Sequence, residues 1–156
     1  MPRPNWTYQE IEDAVLTALE DLKAENGGDA LEVKAYQGQF SSAEAITLVL
    51  NRFPMVLVSV FGSNYTDPES SARGTQNQTF RIMVWVGSRS WRKTAASAGA
   101  YDLLHAVRSR LAGSVLGLTG VFPCYPRSEA VVTAEPTVTV FQAEYWLINP
   151  RMTWGI

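Results

Sequence analysis

The hydropathy pattern of this chain predicts an α+β domain: a mostly antiparallel sheet with helices packed on one face, in the element order αβαββα followed by two or three β-segments. Three observations predict it. Two stretches, 7–24 and 94–111, repeat apolar residues at helical spacing. Between and after them lie short alternating or β-branched runs. The Met55 run and the strand from Thr79 meet through a polar, glycine-containing segment, as a hairpin does. At 156 residues, with no linker and no internal repeat, the chain reads as one domain over 1–156.

The first helix is the clearest element. Thr7-Tyr8-Gln9-Glu10 has the spacing of a capping box, in which hydroxyl and carboxylate each satisfy an orphan N–H of the first turn. Ile11, Val15, Leu19 and Leu22 draw one apolar stripe, and Gly27-Gly28 stops it, so the helix is expected over Thr7 to Ala24. Leu31 to Tyr36 alternates as a short strand does. Ser41-Ser42-Ala43-Glu44 is a second capping box and opens a helix over Ala43 to Leu50.

Pro54 ends that helix and introduces Met55-Val56-Leu57-Val58-Ser59-Val60-Phe61. This run is almost wholly apolar and reads as a central strand buried on both faces. Gly62 to Gln76 lacks periodicity and is expected as a long loop. Thr79 to Val86 returns as a strand, with Phe80, Ile82, Val84 and Val86 on one face and Arg81, Met83 and Trp85 on the other. Thr94 to Leu111 forms the third helix and Gly113 ends it. Gly117, Gly120, Pro123 and Pro126 leave Ser114 to Arg127 irregular, with room for one strand. Ala130 to Ala134 and Thr137 to Ile148 close the chain as strands.

The last strand is cleanly polar on neither side. Thr139, Phe141, Ala143, Tyr145 and Leu147 oppose Val138, Val140, Gln142, Glu144, Trp146 and Ile148. A single-layer sheet should be polar toward solvent. The second face of this one therefore needs a cover, from the chain itself or from a neighbouring subunit.

Composition excludes more than it names. Thirteen Lys plus Arg against fifteen Asp plus Glu leave a net charge of −2, which argues against a nucleic-acid binder. One cysteine and one histidine build neither an intramolecular disulfide nor a histidine-rich metal site, so no metal or cofactor is expected. Met1 to Trp6 lacks the apolar stretch of a secretory signal, and no run reaches the ~20 apolar residues of a membrane span. The expectation is a soluble chain kept in a cytoplasm, with no membrane partner.

Candidate chemistry is sparse. Cys124 and His105 would be the nucleophile and base of a thiol enzyme, with Tyr101 one turn before the histidine. The ordinary alternative is a thiol packed among Phe122, Pro123, Tyr125 and Pro126, and a histidine at the edge of the core. Asp67-Pro68-Glu69 suits a turn better than a cation site. No phosphate loop, HExxH or GxSxG pattern occurs. Ser88-Arg89-Ser90-Trp91-Arg92-Lys93, the one basic cluster, suits a solvated turn first and a protein contact second.

The succession of landmarks has a likeness. An amphipathic first helix is followed by a short strand and Tyr36-Gln37-Gly38, then by Phe53-Pro54-Met55-Val56-Leu57-Val58 and a polar hairpin tip. After the return strand comes Ala100-Tyr101-Asp102-Leu103-Leu104-His105-Ala106-Val107-Arg108. From Tyr8 to Leu147 this resembles the Mu-like bacteriophage and prophage proteins encoded among tail-assembly genes, which are similar in size and element order to tail terminator (tail completion) proteins. The resemblance implies a non-enzymatic virion subunit, an α+β domain that closes into an oligomeric, hexameric ring on the tail tube and meets the head–tail connector. It implies assembly in the host bacterial cytoplasm, then a place in the virion tail. It implies no catalytic residues and no cofactor. The positions mapped to an interface are Asn64, Tyr65, Thr66, Asp67, Glu69 and Arg73 of the hairpin loop, with Met83, Trp85 and Trp91. Two alternatives stay open: another neck, connector or baseplate component, or a small-molecule or Cys124-dependent domain.

Overall fold

The computed structural model describes residues 5–23, 31–49, 52–66, 75–92, 99–135 and 137–153. Its elements are α1 (Tyr8–Leu19), β1 (Glu32–Ala35), α2 (Ala43–Val49), β2 (Met55–Tyr65), β3 (Thr75–Ser88), α3 (Ala100–Leu111), β4 (Tyr125–Glu135) and β5 (Val138–Thr153). The strands form a five-stranded sheet in the order β1-β2-β3-β5-β4. The class is α+β, and the element order is the one read from the sequence.

The capping box forms as drawn. Thr7 Oγ1 accepts the Glu10 N–H at 3.2 Å, and the Glu10 carboxylate accepts the Thr7 N–H at 3.1 Å. Both bonds satisfy donors that the first helical turn leaves without partners. Ile11, Val15 and Leu19 then bury the inner stripe of α1, and Leu22 remains buried beyond its last turn. On α3, Leu103, Leu104, Val107 and Leu111 do the same. Both helices lie on the first face of the sheet, over Val56, Val58, Phe80, Ile82, Val84, Ala143, Tyr145 and Leu147.

The strands are not all antiparallel, and the helices are not all on one face. β1 runs parallel to β2. Parallel neighbours need a crossover connection, and α2 with its flanking loops supplies it across the second face. There Tyr36, Phe40, Ile46, Val49 and Phe53 pack on Met55, Leu57, Met83, Trp85, Val138 and Val140. The Tyr36 ring stacks on Trp85 with centroids 3.9 Å apart and planes within 16°. The chain itself therefore covers one half of the second face.

The hairpin is longer and its tip shorter than expected. β2 continues to Tyr65 and β3 begins at Thr75, so residues 62–65 and 75–76 are strand, although their composition is that of a loop. Polar side chains hold the pairing there. The Gln78 amide donates to Ser63 Oγ at 3.2 Å and to Tyr65 Oη at 2.9 Å. The Asn77 N–H donates to Thr66 Oγ1 at 2.9 Å. Similarly, the final strands extend at both ends: β4 starts at Tyr125, inside the stretch expected to be irregular, and β5 reaches Thr153. The first turns expected for the third helix, 94–98, lie outside the described residues apart from Gly99, which is its N-cap.

Gly87 sits under the aromatic roof of the second face. A Cβ at this position would lie 3.0 Å from both Phe40 Cζ and Phe53 Cε1. Gly87→Ala is therefore expected to destabilise the fold by about 1–3 kcal/mol through overpacking. Thermal unfolding of the two proteins checks it; an unchanged midpoint would mean that the roof is not seated on the sheet.

Candidate functional site

The side chains with the chemistry of an enzyme do not converge. Cys124 is buried at 1% exposure, and burial pushes its thiol up to about 12. A thiol at that value is scarcely ionised at neutral pH and makes a poor nucleophile. His105 is exposed on α3, away from the stripe that α3 turns to the core. Tyr101 is also exposed, and packs its ring against Trp91 and Phe141. Among the described residues no cluster of three His, Cys, Asp or Glu side chains could hold a metal ion. Among the described residues no helix is long and apolar enough to cross a membrane.

The residues expected at an interface fall into three groups. Asn64, Tyr65 and Thr66 end β2 and are exposed, with Tyr65 tied back to Gln78. Asp67, Glu69 and Arg73 lie outside the described residues. Met83 and Trp85 do face away from α1 and α3, as the alternation required, but they are only 3% and 5% exposed. The α2 crossover lies over them, so in the single chain they are core and not surface. Trp91 is partly exposed, just after β3, and edges onto Phe141 at 5.5 Å.

Beyond the reach of α2, the second face is open. Phe61 marks the boundary: the β2–β3 register shifts between Val60 and Gly62, and the Phe61 ring is left more than half exposed beside Trp85. Past it comes a cross-strand set of polar and aromatic side chains. Arg81 on β3 pairs with Glu144 on β5 at 3.1 Å, and the Trp146 indole N–H donates to the same carboxylate. The Arg127 guanidinium sits 4.1 Å from the centre of the Trp146 ring, and Tyr125 meets that ring at its edge. Burial alone would raise the Glu144 pKa. The hydrogen bonds from Arg81 and Trp146, with the Arg81 and Arg127 charges, outweigh burial and hold the carboxyl below its ordinary 4.5. Such a surface is ordered, half-desolvated and aromatic, which suits protein contact.

This part of the surface was not singled out from the sequence. The signal was present in Trp146 and Tyr125, but it became visible only once the register placed them with Arg81 and Arg127 on one face.

Residues 8–147 match the model of the family described as Bacteriophage Mu, Gp37. The chain belongs to that family, a Mu-like phage tail-related one, as the order of its landmarks implied. No curated protein sequence matches the chain. Among solved structures, a chain of the virion of a native gene transfer agent (GTA) particle shares the fold. Its TM-score is 0.54 at 14% identity, over 96% of this chain and 100% of that one.

Two outcomes are expected of this geometry. Reaction of Cys124 with a thiol reagent at neutral pH should be on the order of a thousandfold slower in the folded protein than after unfolding, because so little thiolate is present; an equal rate would revive the thiol-enzyme alternative. Because the folded pKa of Glu144 is depressed, its pairing stabilises the fold above the ordinary value and that stability is lost as pH falls through the folded pKa. Glu144→Gln should thus cost no more than about 1 kcal/mol at pH 7, the range of a partly exposed pair. The gap to wild type should close below pH 4.5. Denaturant titrations across that range measure it, and a gap independent of pH would rule the pair out.

Proposed function

We propose that this member of the Mu Gp37 family is a non-enzymatic structural subunit of the phage tail, of the terminator kind, which closes into a ring on the end of the tail tube and presents a surface to the connector. The observation that carries the reading is the divided second face. One half is sealed by the chain's own crossover, and the other is left open with an ordered set of Arg81, Glu144, Trp146, Arg127 and Tyr125. A rigid domain that must seat on a polymer end and stop its growth needs surfaces of unlike character on one body. The buried, un-ionised thiol and the exposed histidine support the non-enzymatic part of the reading.

The small net charge of −2 keeps self-repulsion low when identical subunits pack closely. On this reading the chain is assembled in the cytoplasm of the bacterial host and remains in the virion tail. Its partners are copies of itself, the tube protein and the connector.

Particles made without the gene test the reading. Negative-stain images are expected to show overlong or unjoined tails. Normal tails with missing baseplates would assign the protein to the opposite end of the particle. Light scattering on the purified chain, alone and with tube ends, should give a defined multimer; a monomer under both conditions would overturn the ring.

A further inference from the structure

The sheet has two unlike edges, and the longer is β4. Over its first part β4 is poorly suited to accept another strand. Pro126 lacks an N–H; the register shift between Pro126 and Ser128 does not set this part apart, since a second falls between Val131 and Thr133. Its charges are turned inward: Arg127 covers the Trp146 ring, and Glu129 accepts a hydrogen bond from Arg108 at 2.6 Å. From Ala130 the character changes. Ala130-Val131-Val132-Thr133-Ala134 has no charge and no proline, and Val131 and Val132 are each about half exposed. An open edge that is β-branched and uncharged invites pairing, and soluble proteins normally guard against it.

Beside this run lies a groove of about 380 Å³ between α2 and the turn from β4 to β5. Phe40, Ala43, Ile46 and Val138 give it an apolar floor, and the hydroxyls of Ser41, Ser42, Thr47, Thr133 and Thr137 line it. Strand addition draws affinity from main-chain bonds and specificity from a recess for alternate side chains. The edge and the groove together supply both.

The opposite edge, β1, offers a matching strand. β1 is parallel to β2, and each later step across the sheet is antiparallel, so β1 and β4 run in opposite directions. Two copies placed side by side with their strands pointing the same way therefore bring β4 of one against β1 of the other in the antiparallel sense. β1 is four residues long, close to the length of the uncharged run. Its Val33 packs on the first-face core, while Glu32 and Lys34 point to the second face, where they pair with each other and Glu32 also pairs with Arg52. In a continuous sheet these polar groups come over the hydroxyl-lined groove.

We infer that Ala130–Ala134 of one copy takes β1 of a second copy as an added antiparallel strand, so that the sheet runs on from subunit to subunit. The contact is head-to-tail and closes into a ring when the rotation per subunit permits. This deepens the ring reading above and rests on it.

The test uses the full chain. Val132→Lys places a charge on the open edge, and light scattering should show the wild-type multimer shifted to monomer, with circular dichroism unchanged. Val115→Lys, at another exposed valine, should leave the multimer intact. Independently, the pair Lys34→Cys and Thr133→Cys, with buried Cys124 left in place, should give a reducible ladder of linked chains on oxidation, while each single variant does not. A wild-type multimer that ignores Val132→Lys and forms no ladder overturns the edge pairing and leaves the ring. Dimers from Thr133→Cys alone overturn it in favour of β4 against β4. A wild type that stays monomeric and unlinked with and without tube ends overturns the ring itself. If Val132→Lys fails to fold, the cysteine pair decides, since it leaves the edge backbone unchanged.

Discussion

A five-stranded sheet with apolar side chains on both faces must be covered twice, and much of this molecule is arranged to meet that demand. Leu57, Trp85 and Val140 on one side are as apolar as Val58, Val84 and Ala143 on the other. Burying a large apolar side chain contributes about 1.5–3 kcal/mol, so leaving either set in water would cost an amount comparable to a domain's whole margin. The first face has α1 and α3. Among the described residues the second has only the short α2, and its area is eked out by aromatic rings from the flanking loops. Tyr36, Phe40 and Phe53 roof the strands where no helix reaches. The roof stops near Phe61, where the β2–β3 register shifts, and there the side chains change from Leu and Val to Arg, Glu and Trp.

Much of this was legible in the residues. The capping box at Thr7, the helical stripes and the apolar run from Met55 each have one strong local cause, and each appears where that cause places it. The double-sided apolarity of the last strand correctly signalled a second cover. What the sequence did not reveal was who provides it. The crossover depends on β1 lying parallel to β2, a pairing set by tertiary packing and not by any local pattern. For the same reason Met83 and Trp85 read as outward from alternation alone, which reports the face of a strand and not what lies above it. The polar hairpin end hid its strand character because Ser63, Gln78 and Thr66 hold the pairing through side-chain bonds, which composition cannot distinguish from loop.

The reactive side chains fit a structural part for a related reason. Phe122-Pro123-Cys124 leads from the α3–β4 connection into the core, so the thiol fills space that a small apolar residue would otherwise take. Burial then suppresses its ionisation, and no cation or helix N-terminus offsets that burial among the causes of its shift. Tyr145 shows the same economy. Its ring lies wholly in the core and its phenol is pushed up by burial, although Arg108 on α3 acts in the opposite direction. Cys124 and Tyr145 are thus neutral packing material inside the molecule, while ion pairs such as Arg81–Glu144 and Arg108–Glu129 lie at its surface.

That pairing bears on how a subunit of this kind avoids associating wrongly. An edge strand is safest when it carries a free charge, because a neighbour must desolvate the charge to pair. On the first part of β4 the charges are bound to Trp146 and Arg108, and it is Pro126 and the register shift beside it that spoil the backbone ladder. On the second part there is no proline and no charge, and only a register shift between Val131 and Thr133 interrupts the ladder, although Val131 and Val132 are exposed and a single lysine would be enough to close the edge. Guarding half of an edge and leaving five contiguous residues open is costly for a protein meant to remain alone, since it leaves an aggregation template in solution. The arrangement is stable only if something covers the open half faster than disorderly pairing can. An identical molecule, present at the same concentration and offering an edge of similar length in the opposite direction, meets that condition without any further component.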